Sequence, residues 1–584
     1  MLEKSYSVKS LKLCGRDISE FSIVLPQKAA SVEKFAATEL QRHIMAAVGF
    51  ELPISSNANH AIYIGTAAKK DVSKLKFDGF AMETDENSLY LYGAIHRGTI
   101  YAVYSFLEKY IGCRKYEPGV ERILESSGVE IPCNLCDVQN PVFEYRVTDW
   151  ISHTSDPHFT VWEKLNSSRA GLTEELGGSI KIAGGSHTFE RLCDPKIYFD
   201  EHPEYYSLIN GVCIPAGNTF EKEYGQLCLT NPDVLRIVTE NTKKLIAEHL
   251  ECTIFDVSQN DNFNHCQCER CAAIDAEEGS PSGTLLRFIN AVADEVKKDY
   301  PNIFIQTFAY QYTRKAPKIT KPRNNVIIRL CSITACFRHP LSDKSCEQNV
   351  REFSNDLENW RKICDKISVW DYTTNYNCYF APFPNFEVLR ENIRYFADNK
   401  VIHVFEEDTP RTYTGDLGSL KAYVLARLLW NPYMTEEEYE MHICDFLEGY
   451  YGPGWENIRM YMDILHETTR DKHISCFELI DTMYSEDYEE RISFVPHAYQ
   501  KLKEKHYLTD FIARIDEVNA LWDKAFEMAE TEGERERIMR SRMSIDYLHL
   551  FCRQYNKATM SESKRREYEA TVELFHRRKK HFGQ

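Results

Sequence analysis

The sequence predicts an α/β protein with a central (β/α)8 barrel of the TIM type, a small α/β domain before it and a helical domain after it. Three observations predict this. From 143 to about 407, short apolar strands alternate with helical or irregular segments over some 265 residues, the size and rhythm of a (β/α)8 barrel. The first 137 residues mix helical and strand periodicities at short spacing, and beyond 415 the pattern is almost wholly helical. A chain of 584 residues is also too long for one ordinary domain. The expected boundaries are 1–137, 138–414 and 415–584.

In the first domain, SVEKFAATELQRHIMAAVG (31–49) repeats apolar residues at helical spacing and stops at a glycine. AIYIG (61–65) and SLYLYG (88–93) are short apolar strands closed by glycine. HRGTIYAVYSFLEKYIGCRKYEPG (96–119) reads as a helix ending near Gly112, and the turns at 132–141 mark a boundary. Eight barrel strands are expected: 143–150, 179–184, 226–231, 253–260, 303–310, 326–331, 366–372 and 401–407. Helices at 282–300 and 385–400 precede two of them. The C-terminal domain opens with helices at 420–430, 436–452 and 457–469 and continues as a charged helical tail that reads as a solvated surface.

With 70 basic and 88 acidic residues the net charge is -18, which disfavours nucleic acid and anionic membranes as partners. Neutral or polar substrates fit better, and the sequence gives no oligomeric state. No run is long enough to cross a membrane, and the N-terminus lacks a basic start followed by an apolar stretch. With 19 cysteines, this points to a cytoplasmic protein with reduced thiols.

Polar residues at the C-terminal ends of barrel strands face the active site. Those ends offer Asp149, then Asn260 and Asp261, then Tyr310 and Tyr312, then Trp370, Asp371 and Tyr372, and finally Glu406 and Glu407. Glycoside hydrolysis needs an acid for the leaving oxygen and a second group that acts as nucleophile, activates water or orients a 2-acetamido group. Asp261 and Glu406 are the best placed pair. Asn260 suits a sugar hydroxyl or a turn equally, and His187 suits substrate or structure. Cys266, Cys268 and Cys271 form C-x-C-x-x-C after His265. They either pack a tight loop as thiols or hold a structural zinc, with a fourth ligand from His265 or a distant cysteine such as Cys228, Cys331 or Cys336. No phosphate-binding glycine motif, nucleophile elbow or i, i+4 histidine pair is present, so no nucleotide, acyl-enzyme or catalytic zinc chemistry is implied, and no cofactor is required.

At these motifs the chain resembles a known family. SHTFERL, HPEYYSLING, QLCLTNPDV, SQNDNFNHCQCERC, SPSGTLLRFINAVADEV, NNVIIRLC, WDYTTNYNCYFAPFPNF, VFEED, LARLLWNP and FLEGYYGPGW, in that order, resemble the bacterial domain of unknown function 4838. That domain is the core of glycoside hydrolase family 163, whose characterised activity is endo-β-N-acetylglucosaminidase on complex N-glycans. ATELQRHI, AIYIGT and HRGTIYAVYSFLEKYIGCRKYEPGVERI resemble the small domain that precedes the barrel in hexosaminidases and α-glucuronidases. The resemblance implies a TIM barrel with an acid at Asp261 and a second carboxylate at Glu406, taken over Glu407 because the family's first acidic position after the apolar pair falls on it; strand alternation aims only one of the two inward. The substrate it implies is an oligosaccharide carrying β-linked N-acetylglucosamine, cleaved with retention. The alternatives are an exo-glycosidase resembling α-glucuronidases, for which Arg146 or Arg329 would pair a uronate, and a non-catalytic carbohydrate-binding barrel.

Overall fold

The computed structural model describes residues 6–413, 415–478, 506–555 and 561–582. The contacts divide the chain into two units: Met1–Ser179 with Thr373–Ile393 and Glu406–Gln584, and Ile180–Tyr372 with Arg394–Phe405.

The first unit contains a six-stranded sheet. Its strands are β1 (Ser22–Val24), β2 (Ile54–Ser55), β3 (Ala61–Ile64), β4 (Phe80–Thr84), β5 (Ser88–Gly93) and β6 (Cys136–Gln139), in the order β6-β4-β5-β3-β1-β2. Helix α1 (Ser31–Val48) and helix α2 (His96–Phe106) cover it. The first ends where predicted, at Gly49 with φ 78°, a left-handed turn that only glycine adopts freely. Leu40 and Ile44 of α1, Ile100 and Val103 of α2, and Ile62 and Leu91 of the sheet are fully buried together and form this core. The helices predicted after 415 appear as Gly418–Trp430, Glu436–Tyr451 and Trp455–Thr469, and the tail carries Ile515–Met528, Glu532–Tyr555 and Glu562–His581. The stretch of predicted tail at 479–505 lies outside the described residues.

A curled, parallel half-barrel of seven strands takes the place of the closed eight-stranded barrel that the sequence predicted. Its strands are β7 (Tyr145–Thr148), β8 (Ile182–Ala183), β9 (Ile254–Asp256), β10 (Phe304–Ala309), β11 (Val326–Cys331), β12 (Ile367–Tyr372) and β13 (Val401–Glu407). Their order is β7-β13-β12-β11-β10-β9-β8. The missing strand is the third expected one, 226–231. Its backbone groups bond elsewhere: Gln226 N–H to the Asn264 carbonyl (3.2 Å) and Cys228 N–H to the Tyr205 carbonyl (2.8 Å). With that stretch committed to loops, β8 pairs directly with β9, Ile182 opposite Ile254 and Ala183 opposite Phe255.

Candidate active site

Three contacts that skip a strand define the concave face of the half-barrel. The rings of Phe308 on β10 and Trp370 on β12 lie 5.9 Å apart across β11, and the Arg329 guanidinium on β11 reaches the Phe405 ring on β13 at 6.0 Å across β12. His187, beyond β8, stacks on Phe308 at 5.1 Å across β9. Side chains two strands apart meet only where a sheet curls toward them. Because strand side chains alternate, the same face carries Asp256, Gln306, Ser368 and His403. The opposite face carries Ile305, Ile328, Leu330, Ile367 and Val369, all buried.

Deep on the concave face, Asp256 has no exposed surface and accepts hydrogen bonds from the Ser258 hydroxyl and from Gln306 Nε2 (3.4 Å). Burial pushes its carboxyl up to about 6 despite Ser258 and Arg329. Arg329 donates through Nε to Ser368 Oγ (3.2 Å) and lies 5.4 Å from the Trp370 ring. Burial, with the Arg329 charge, drives His403 down to about 3, so it is neutral at physiological pH.

At the rim, Asp261 follows β9 as expected. Its Oδ1 accepts from the Tyr310 hydroxyl (3.2 Å) and from Gln311 Nε2 (2.9 Å), and its backbone N–H donates to Asn218 Oδ1 (3.1 Å). Burial and the Asp261 charge push the Tyr310 phenol well above its ordinary range, so it remains a protonated donor. His187 Nδ1 sits 2.8 Å from the Gln259 carbonyl oxygen. A carbonyl only accepts, so Nδ1 carries a proton, and in the neutral ring the lone pair lies on Nε2. His187 and Gln311 both have φ 53°, a left-handed backbone that is uncommon for such side chains and that the surrounding bonds must hold.

Of the other residues nominated from sequence, Trp370 and Tyr372 line the same face, their rings 6.5 Å apart. Asn260 is fully buried and its amide joins the loops, Oδ1 accepting from Glu190 N–H (2.9 Å) and Nδ2 donating to the Gly225 carbonyl (3.0 Å). Asp371 alternates onto the other face, accepts from the Ser332 hydroxyl, and is pushed up to about 6 by burial. On β13, the alternation that puts His403 and Phe405 on the concave face extends it to Glu407, whereas Glu406, with no exposed surface, belongs to the opposite face. Arg146 is not available to a uronate: it is fully buried in the first unit, 2.6 Å from Asp78. Cys266, Cys268 and Cys271 gather with Cys228 in the loop beyond Asp261. His265 instead stacks on Tyr312 at 4.7 Å. Sequence reasoning missed Asp256 and Gln311. An aspartate within the apolar run TIFD was the available signal for the first; the second had none.

Residues 115–463 match the domain of unknown function DUF4838, more than half of the chain. The chain belongs to the DUF4838 family. No curated protein matches it. Among solved structures, this DUF4838 protein is similar to the family GH115 4-O-methyl-α-glucuronidase BtGH115A, described as specific for decorated arabinogalactans. The TM-score is 0.58 at 12% identity, covering 95% of this chain and 76% of that one. At that identity the likeness is one of fold. Two further glycoside hydrolase structures have lower TM-scores. They are a GH138 enzyme targeting pectin rhamnogalacturonan II (0.45, 11% identity, 91% and 69% covered) and CpGH84B (0.44, 12% identity, 96% and 93% covered).

Proposed function

We propose that this DUF4838 protein is a glycoside hydrolase that cleaves β-linked N-acetylglucosamine in oligosaccharides, with retention, and that Asp261 is one of its catalytic carboxylates. The observation that carries the reading is Asp261 at the rim of a concave face walled by Phe308, Tyr310, Trp370 and Tyr372, its Oδ1 fixed by the Tyr310 hydroxyl and Gln311. Aromatic faces suit the apolar faces of sugar rings, and a carboxylate held by two donors is oriented before substrate arrives. His187, with an accepting Nε2, suits a sugar hydroxyl. The reaction needs a second carboxylate or an orienting acid, and the acid pair Glu406–Glu407 that ends β13 provides the nominees. The resemblance to family 163 supports the N-acetylglucosaminide substrate.

Arg329 favours a second reading, an exo-acting glycosidase on uronides. It is the one arginine nominated from sequence that lies on the concave face, where it could pair with a carboxylate.

The test is a screen of chromogenic β-N-acetylglucosaminides, N-glycans and uronides, with the product anomer followed, using wild type and the Asp261→Asn, Glu406→Gln and Glu407→Gln variants. Asp261→Asn is expected to lower kcat/KM by about 10²- to 10⁴-fold on whichever substrate is cleaved. Activity undiminished in Asp261→Asn would remove that residue from the chemistry. Cleavage of uronides alone would replace the first reading with the second.

A further inference from the structure

We propose that Cys228, Cys266, Cys268 and Cys271 form a tetrathiolate site for a structural zinc ion. The four sulfurs come from two separate stretches of chain. Cys228 lies between the short hairpin Ser207–Ile209/Val212–Ile214 and a helix that begins at Pro232. The other three lie in the loop that follows Asp261: Cys268 is the N-cap of the helix Glu269–Glu278, and Cys271 is in its first turn.

Geometry carries the assignment. A tetrahedral zinc with bonds of about 2.3 Å to sulfur requires sulfur–sulfur edges of roughly 3.8 Å. Cys228 Sγ and Cys268 Sγ are 3.8 Å apart, and all four sulfurs lie within 4.8 Å of one another. That is far beyond the roughly 2.05 Å of a disulfide and matches ligands around one centre. Four thiols of ordinary packing need only touch neighbours; here each sulfur is close to three others, and Cys228, Cys266 and Cys271 are buried.

The surroundings fit thiolates. Leu208 N–H donates to Cys266 Sγ at 3.4 Å, and Thr230 Oγ1 lies 3.3 Å from Cys271 Sγ and 3.5 Å from Cys228 Sγ. Cys268 is the N-cap of the helix Glu269–Glu278 and Cys271 lies in its first turn, so these two sulfurs sit at the positive end of the helix dipole.

The site joins the loop after Asp261 to the hairpin and to the stretch that failed to become a strand. Gln226, two residues before Cys228, donates to the carbonyls of Asn260 (2.9 Å) and Asn262 (3.0 Å). The ion would therefore fix the rim from behind, a structural role that stands whether or not Asp261 is catalytic.

The test uses the intact chain produced in zinc-replete medium. Elemental analysis is expected to give at least one zinc per chain, because a second group, Cys336, His339, Cys346 and His473, also gathers within 4.8 Å. One equivalent should be lost in Cys228→Ala and in Cys268→Ala and retained in Cys364→Ala, whose thiol donates to the Lys366 carbonyl (3.3 Å) outside both groups. Cobalt exchanged into the wild type should show the sulfur-to-cobalt charge transfer and strong visible bands of a tetrahedral tetrathiolate. A chain that holds neither zinc nor cobalt in that geometry would overturn the proposal, as would a zinc content unchanged in Cys228→Ala. A chain isolated with iron bound by the four sulfurs would overturn the assignment to zinc. If the cysteine variants fail to fold, the cobalt spectrum of the wild type decides alone.

Discussion

Asp256 and His403 share the concave face, and burial drives both toward their neutral forms, one up to about 6 and the other down to about 3. Their effects on stability have opposite signs. Between about 4 and about 6 the folded chain keeps a proton on Asp256 that the unfolded chain releases, so this group's contribution to stability falls as pH rises through that window and is gone above it. Between 6.5 and about 3 the unfolded chain protonates a histidine that the folded chain keeps neutral, so the His403 contribution falls as pH drops. Asp256→Asn keeps the shape and removes the ionisation. The difference in unfolding free energy between variant and wild type is expected to be near zero at pH 4 and to grow in the variant's favour to about 1–3 kcal/mol at pH 7, read from urea melts across that range. A variant that loses more stability at pH 7 than at pH 4 would contradict a buried Asp256 whose carboxyl is held up to about 6. Asp149 and Asp371, also raised to about 6 by burial, cancel in the comparison because both proteins contain them.

Strand β8 is two residues long, and what lets it dock on β9 is the glycine after it. Gly184 has φ 92°, and a Cβ there would meet the Asp256 carbonyl oxygen at 3.1 Å and the Asp256 Cβ at 3.3 Å. Gly184→Ala therefore adds left-handed strain to crowding against the strand that delivers Asp261, and should destabilise the protein by about 1–3 kcal/mol. A melt indistinguishable from wild type would mean that β8 does not need so close an approach. This element shows how far periodicity reads. The alternation in IFIQTFAY, VIIRLC and KISVWDY predicted three strands, and with them the placement of Trp370 and the rim position of Tyr310, because two-residue periodicity and burial are properties of the local sequence. QLCLTN alternates equally well, yet its backbone is claimed by Tyr205 and Asn264, partners 20 or more residues away that no local pattern reveals. The same holds for Asn260, whose buried amide bridges distant loops, and for the left-handed backbone of His187 and Gln311. Which of Glu406 and Glu407 shares the concave face is likewise set by neighbours of β13, here by Phe405 packing on Trp370 at 4.8 Å, and not by the local sequence.

The first unit is assembled from stretches far apart in the chain, and one buried carboxylate connects several of them. Asp78, just before β4, lies 2.6 Å from Arg146 on β7 and 2.7 Å from Arg97 of α2, and accepts from Asn166 Nδ2 at 2.8 Å. Arg146 also donates to the carbonyls of Phe143 (2.7 Å) and Lys164 (3.0 Å), and Arg97 to that of Gly178 (2.7 Å). Burial alone would push Asp78 up, but Arg146 and Arg97 outweigh it and hold the carboxyl at about 2. Its stabilising contribution is thus present above 3.8 and lost as pH falls toward about 2. Removing the carboxylate leaves two guanidinium groups buried against each other without their shared counter-ion, a situation that costs far more than the pair itself contributes. Asp78→Ala is therefore expected to lower stability by about 3–5 kcal/mol at pH 7. Asp463→Ala, which removes one of the two exposed carboxylates paired with Arg459 and leaves Glu440, should change it by less than about 1 kcal/mol. The two variants differ in burial and in how many cations lose their counter-ion, so equal shifts in urea melts would show that the Asp78 network does not hold these stretches of the first unit together.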